Sequence, residues 1–336
     1  MLFGLIALAT TACVQKHSCL LGLSINVSVH GGVKEMTDSI LEERQMGCRL
    51  MTSAMKWSEV EPAPGQFKLD LLREDLANQA RLGFTPVLSL KTIDTNNRTL
   101  PADLMAEEWD SPKMLAREQE VLKRVAASLP NRIGLVLLGN EVDAYLTGHS
   151  AEVGPFCRFL AGGRATIAAS RPGTLVGVTT TFGGLAANRD LIARIQTGMD
   201  MVSMTYYPMN PDFTVLPVSD VSKHFDQMVA FAGARKLFVE EAGYPASPLL
   251  NSSDAKQAAF VDAVFDSISR LGAHLYGVNF FLLVDLNDTL VDSFVAYYGV
   301  HAEKFRAMLS TLGLKDQSGN PRPSWNRFKK RATPSE

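Results

Sequence analysis

From about residue 20 onward the chain repeats one pattern: a short apolar run, then a longer stretch in which apolar positions recur every three or four residues. The runs at 20–25, 48–53, 85–90, 133–138, 174–179, 201–205, 236–241 and 275–282 are short and nearly continuous, as parallel strands buried on both faces require. The stretches between them are amphipathic. In 255–271, Ala258, Val261, Phe265, Ile268 and Leu271 form one helical stripe, and 114–129 repeats it with Leu115, Val121, Leu122 and Val125. The preceding Asn251, Ser252, Ser253 and Asp254 are all N-cap candidates for the former.

Eight strand–helix alternations in about 300 residues, with no Pro/Gly/Ser-rich linker, predict a single α/β domain over 20–336 built as a (β/α)₈ barrel. A doubly wound sheet for a dinucleotide would place a Gly-x-Gly-x-x-Gly turn after the first strand. Residues 26–32 here read Asn-Val-Ser-Val-His-Gly-Gly, without that spacing. In a barrel the chemistry lies at the C-terminal ends of the strands, so reactive residues should gather there.

Composition narrows the partners. The 336 residues are 46% hydrophobic and 20% charged, ample for a large core, and the net charge is −2. Without a concentrated basic face, nucleic acid is excluded as a partner; Lys329-Lys330-Arg331 is a short solvated cluster. The four cysteines, Cys13, Cys19, Cys48 and Cys157, form no Cys-x-x-Cys pair, and the six histidines are scattered, so no metal site and no cofactor is expected. Residues 1–19 stand apart as a leader. Its run 2–12 is apolar, too short to span a bilayer, and ends in small residues before Cys13, like the apolar part of an export signal with a lipoprotein processing site. The expectation is an exported protein whose only membrane attachment would be a lipidated Cys13. One barrel of this size is expected to act as a monomer.

The strongest chemical signal is a pair of glutamates at matching positions. The fourth apolar run ends in Asn140-Glu141, and the seventh in Glu240-Glu241-Ala242-Gly243-Tyr244-Pro245. A buried strand that ends in a carboxylate is costly unless the group reaches solvent or a partner. Strands four and seven lie on opposite sides of a barrel mouth, so both carboxyls can converge across it. Two such groups cleave a glycosidic bond with retention: one protonates the leaving oxygen, the other attacks the anomeric carbon. Alternation along a strand points only one of Glu240 and Glu241 inward.

These residues resemble the clan A glycoside hydrolases, a (β/α)₈ group that includes cellulases, β-mannanases, endo-β-1,4-galactanases and plant-type β-1,3-glucanases. Asn140-Glu141 is similar to the clan's asparagine–acid/base pair after strand four. Glu241-Ala242-Gly243-Tyr244-Pro245 resembles its nucleophile motif, nearest in form to the galactanase and β-1,3-glucanase versions. The resemblance implies Glu141 as acid/base, Glu241 as nucleophile with Glu240 as the fallback, and Asn140 as donor to the sugar 2-hydroxyl. Tyr206-Tyr207-Pro208 resembles the segment whose tyrosine hydrogen-bonds the nucleophile, a role that falls on Tyr207. Residues 57–67, beginning Trp57-Ser58-Glu59, resemble the loop after strand two, and the segment from Gly313 to Trp325 resembles the closing segment of several members. Trp57, Phe280 and Phe281 are candidate sugar platforms, Asp94 and Asp285 candidate hydroxyl partners, and Arg49 a candidate support for the nucleophile, each with a structural role as the alternative. Strand eight lacks the tryptophan many members keep, and 91–94 lacks the aromatic and histidine residues of galactanases, so the sugar stays open.

The implied activity is retaining hydrolysis of a β-linked oligo- or polysaccharide. A non-catalytic carbohydrate-binding barrel is the first alternative. A Schiff-base barrel would depend on Lys91, the one lysine well placed at a strand end.

Overall fold

The structure is a computed structural model that describes residues 19–334. The proposed leader cysteine, Cys13, lies outside the described residues. Eight parallel barrel strands follow the expected order: β1 (Leu20–Leu23), β2 (Leu50–Lys56), β3 (Thr85–Asp94), β4 (Leu135–Asn140), β5 (Leu175–Gly177 and Thr179–Thr181), β6 (Val202–Tyr206), β7 (Leu237–Ala242) and β8 (Leu275–Phe280). Each pairs with its neighbour in sequence, and β1 pairs with β8. The fifth strand is broken at Val178. Its first piece pairs with β4 and its second with β6, and the barrel closes through this handover. Gln196 bridges the break: its side-chain amide donates to the carbonyls of Val178 (2.9 Å) and Ser203 (3.2 Å), so two buried acceptors that the ladder leaves open are satisfied.

The barrel interior is graded along its axis. Leu50, Val87, Leu135, Leu137, Met201 and Phe238 fill one layer as a packed apolar plug. Toward the C-terminal ends the inward positions become polar, with Ser24, Thr52, Asn140, Glu240 and Asn279 reaching the mouth. Outside, helices pack on the sheet in two large apolar clusters. Helix Pro112–Ser128 covers the predicted stripe and is capped by Ser111 Oγ, which accepts from Met114 N at 3.1 Å. Ser253 is the cap of helix Asp254–Leu271.

Three features were not anticipated. β2 begins two residues later than its apolar run, and β3 runs on to Asp94 through polar residues that hydrophobicity alone would have ended at Leu90. The segment after β8 carries two helices of its own, Asp288–Tyr298 and Glu303–Leu309, which form a separate apolar cluster beside the mouth. They are tied across to other loops. Asn96 Nδ2 donates to Tyr298 O (2.8 Å), Asn97 Nδ2 to Tyr297 O (3.0 Å), and Lys304 pairs with Asp212 (2.7 Å).

Candidate active site

A cavity of about 550 Å³ opens at the C-terminal end of the barrel, lined by Glu141, Glu240, Glu241, Lys91, Asn140, Tyr207 and Phe281 among others. Each glutamate is there because the backbone departs from regularity. Gly139 takes a positive φ of 116°, and Glu141 itself adopts a left-handed conformation (φ 48°, ψ 39°) at the start of helix Val142–Gly148. That conformation is rare for a residue with a Cβ and marks a local constraint. Two residues on, the Asp143 carboxylate pins the turn to β5 by accepting from the backbone N–H (2.8 Å) and the hydroxyl (2.7 Å) of Thr181. Glu141 accepts from Thr95 Oγ1 at 2.8 Å and from Thr205 Oγ1 at 2.7 Å, one donor per oxygen.

On β7 strict alternation fails. The ladder to β6 steps from Met204↔Val239 to Thr205↔Glu241, skipping Glu240, and the ladder to β8 slips at the same place. This bulge lets two successive side chains face the mouth. The expectation that only one of the two glutamates turns inward is therefore corrected: both line the cavity. Glu240 is the deeper, 4% exposed, and accepts from the Thr179 hydroxyl. Glu241 is half-buried and accepts from Tyr207 Oη at 2.5 Å. The motif's glycine has a physical reason, since a Cβ on Gly243 would lie 2.4 Å from the Tyr207 ring.

Charges crowd this space. Burial, then the Glu141 and Glu240 carboxylates, push Glu241 up to about 8, against the Tyr207 hydroxyl and Lys91, which pull the other way. Burial likewise raises Glu240, opposed by the Thr179 hydroxyl and Lys91. For Lys91, burial works to lower the pKa, but Asp94 first and then Glu241 and Glu240 outweigh it and hold the ammonium charged above its ordinary value. A lysine held this way is a poor Schiff-base nucleophile. Among the described residues no group of three or more His, Cys, Asp or Glu is arranged to hold a metal ion.

Asp94 is a hub behind the site. Its carboxylate accepts from Lys91 Nζ (2.9 Å), Asn140 Nδ2 (3.2 Å) and Tyr297 Oη (3.1 Å). Because Asp94 needs a donor, the Asn140 amide nitrogen is turned toward it. Asn140 Oδ1, like Thr52 Oγ1 and Asn279 Oδ1, is buried without a protein partner. Asn140, Thr52 and Asn279 all line the cavity, although these oxygens are closed off from solvent and Asn279 Oδ1 lies against Gly22 of β1. Asn140 Nδ2 carries a second hydrogen beside the one given to Asp94.

Several expected site residues lie elsewhere. Trp57 is fully buried, packs on Phe159 (6.1 Å between rings) and donates from Nε1 to Glu61 at 3.0 Å. Arg49 precedes β2, at the end of the barrel opposite the mouth, and its guanidinium donates to the carbonyls of Arg44 (2.8 Å) and Cys48 (2.6 Å), so it cannot support Glu241. The strand was read two residues early, which moved Arg49 inside it. Asp285 clamps the chain after β8 instead of binding hydroxyls, accepting from Gly313 N (2.7 Å) and pairing with Arg322 (2.5 Å). Phe280 is core, stacked on Phe265 at 5.3 Å, while Phe281 lines the mouth, edge-on to Tyr207. In the other direction, Thr95, Thr205, Asn279 and Tyr298 carried no motif in the sequence; Thr205, as the last residue of the sixth apolar run, was the one its position could have marked.

No protein-family model matches the chain, and no curated protein sequence matches it. Solved structures do resemble it. A GH5_18 protein from Bifidobacterium longum subsp. infantis superposes with a TM-score of 0.72 at 14% identity, covering 94% of this chain and 78% of that one. A GH5_18 variant from Bifidobacterium longum subsp. longum, solved with Manβ1-4GlcNAc, gives 0.72 at 15% identity, covering 95% and 80%. An exo-β-1,4-mannosidase from Opitutaceae bacterium strain TAV5 gives 0.70 at 17% identity, covering 94% of this chain and 59% of that longer one. At these identities the likeness establishes the fold: this chain has the (β/α)₈ barrel found in those glycoside hydrolases.

Proposed function

We propose that the protein is a retaining glycoside hydrolase that cleaves β-linked glycosides by double displacement, with Glu141 as acid/base and Glu241 as nucleophile. The observation that carries this reading is the pair of strand-end glutamates at one polar mouth, each with its own hydroxyl donors. The sugar ring rests on the polar floor with its anomeric carbon toward Glu241. Glu141 gives its proton to the glycosidic oxygen as Glu241 attacks, and the glycosyl-enzyme is then opened by water that Glu141 deprotonates. The Tyr207 hydroxyl stabilises the ionised nucleophile and must yield as the covalent bond forms. In the empty mouth burial and the neighbouring Glu141 and Glu240 carboxylates raise the pKa of Glu241. The reaction requires Glu241 ionised and the proton on Glu141, and sugar hydroxyls that donate to Glu241 favour that arrangement. The coarse resemblance to glycosidases of known fold agrees with this chemistry.

The test is hydrolysis of a panel of aryl β-glycosides and β-linked oligosaccharides by wild type, Glu141→Ala and Glu241→Ala. The reading expects both variants to lose activity and azide to rescue both, with glycosyl azides of opposite anomeric configuration. Full activity in Glu241→Ala, or rescue that gives one anomer from both, overturns the assignment. Sugar binding without turnover in wild type would leave the non-catalytic barrel.

A further inference from the structure

The rim of the mouth is built up unevenly. β4 and β5 pass almost at once into helices Val142–Gly148 and Phe182–Ala187, and neither helix contributes a residue to the cavity lining. The largest addition follows β8. Helix Asp288–Tyr298 runs from there to the β3 side, where Asn96 Nδ2 donates to Tyr298 O (2.8 Å) and Tyr297 Oη donates to Asp94 (3.1 Å). Lys56, at the end of β2, lies 4.0 Å from the centre of the Tyr297 ring. Helix Glu303–Leu309 sits instead on the β6–β7 side. Lys304 pairs with Asp212 (2.7 Å), Phe305 packs on Phe213 (5.3 Å between rings), and Thr311 O accepts from Ala246 N (2.9 Å).

The link between the two helices therefore has to cross the mouth. From Tyr298 to Lys304 the chain can reach about 20 Å at most, so it takes a short chord from the β3 rim to the β6 rim. Tyr298, Val300 and Phe305, along that chord, all line the cavity below it. The two helices cover the arc on one side of the chord, over β7, β8, β1 and β2. The arc on the other side, over β4 and β5, has no such cover. A pocket with one opening cannot let a continuous polymer pass through.

The two glutamates divide along the same line. Glu241, on β7, lies under the covered arc. Glu141, after β4, stands on the open side, its carboxylate held by Thr95 and Thr205 from the strands at the two ends of the chord. An acid/base has to touch the glycosidic oxygen, so it marks the leaving-group side of the reacting ring. The leaving group then points out through the opening, and the reacting ring is the enclosed one.

Resting on the hydrolase reading, we propose that the enzyme acts on chain ends: the non-reducing terminal unit of a β-linked chain enters the blind pocket, and the rest of the chain stays outside beyond Glu141. In the first step the bond from the terminal unit's anomeric carbon to the bridging oxygen breaks as the bond to the Glu241 carboxylate forms. The bridging oxygen takes the Glu141 proton and leaves as a hydroxyl of the shortened chain. Water then releases the terminal unit and returns the proton to Glu141.

The experiment gives the protein β-1,4-gluco-, β-1,4-manno- and β-1,3-glucohexaoses tagged at the reducing end, and follows the tagged products at early times. The expected products are tagged chains shortened in one fixed step. A 4,6-O-benzylidene cap on the non-reducing terminal ring should abolish cleavage, while tagged and untagged hexaoses should react at equal rates. Tagged products of scattered lengths at early times, or cleavage that survives the cap, overturn the proposal. Turnover of aryl β-glycosides with no hexaose shortened overturns it as well. If no glycoside is cleaved, the hydrolase reading fails first, and the pocket is tested by equilibrium binding of the same hexaoses. Binding lost on capping the non-reducing end but kept on tagging the other supports the blind pocket; binding that survives the cap, or none, overturns it.

Discussion

Tyr207→Phe isolates one interaction in the site. The tyrosine hydroxyl donates to Glu241 Oε2 at 2.5 Å, and its own pKa is pushed well above the ordinary value by burial, then by Glu241, so it remains a donor through any workable pH. A hydrogen bond to a charged group is worth about 1.5–3 kcal/mol, or about one to two pK units for the acceptor. Glu241 starts near 8 because burial and its two carboxylate neighbours outweigh that bond. Losing the donor raises it further, and on the proposed mechanism only the ionised form attacks. The variant should therefore hold about 10- to 100-fold less ionised Glu241 than the wild type at neutral pH. On the proposed mechanism kcat/KM should fall by about 10- to 100-fold at pH 7 with the acid limb displaced to higher pH, and alkaline pH should not restore the wild-type rate, because Glu141 must keep its proton to act as the acid. The assay is a pH profile from 5 to 10 on an aryl β-glycoside, with thermal melts at each pH to show both proteins folded. A Tyr207→Phe profile that superimposes on the wild type, or shifts to lower pH, would refute this electrostatic account of Glu241.

Three further outcomes follow from the same physics. Glu240→Gln removes a neighbouring negative charge, so Glu241 should ionise more easily and the acid limb should move to lower pH by on the order of one unit; a shift in the other direction contradicts the like-charge reading. Trp57→Phe should leave KM unchanged while lowering stability by about 2–4 kcal/mol through the lost bond to buried Glu61 and the lost volume, which denaturant unfolding measures. Glu118 is buried, has an oxygen without a partner, and burial raises its pKa well above the ordinary value, so the native state binds its proton more tightly than the unfolded chain. That makes stability fall as pH rises above about 4.5 toward the raised native value, and Glu118→Gln should flatten the melting temperature over that window. Equal slopes for the two proteins would show that Glu118 titrates normally.

What the sequence made legible follows the length scale of each signal. Eight apolar runs separated by helical stripes are a global pattern, and a run misplaced by two residues, as before β2, leaves the barrel unchanged. That same two-residue error is fatal for a single side chain: Arg49 moved from a strand interior to the far end of the barrel. The two glutamates were legible because an apolar strand that ends in a carboxylate needs a reason, and the mouth supplies one. Trp57 and Asp285 misled because a tryptophan or aspartate near a strand end looks the same in one dimension whether it faces the mouth or the core. Only the partner decides, and those partners, Glu61 and Arg322, stand 4 and 37 residues away.

The bulge at Glu240–Glu241 shows the deeper limit. A period-two pattern carries no mark of a skipped residue, because a bulge is set by the two neighbouring ladders acting together: β6 pairs Thr205 with Glu241 while β8 pairs Phe280 with Ala242. Its effect reaches the chemistry directly. With regular alternation one carboxyl would enter the mouth from β7 and the other would meet the helices outside, where burial without a donor would force it neutral. With the bulge both enter, and Lys91, itself held charged by Asp94, faces them. The raised pKa of Glu241 is then a product of backbone register, and a change that repaired the bulge would alter the ionisation of both glutamates together.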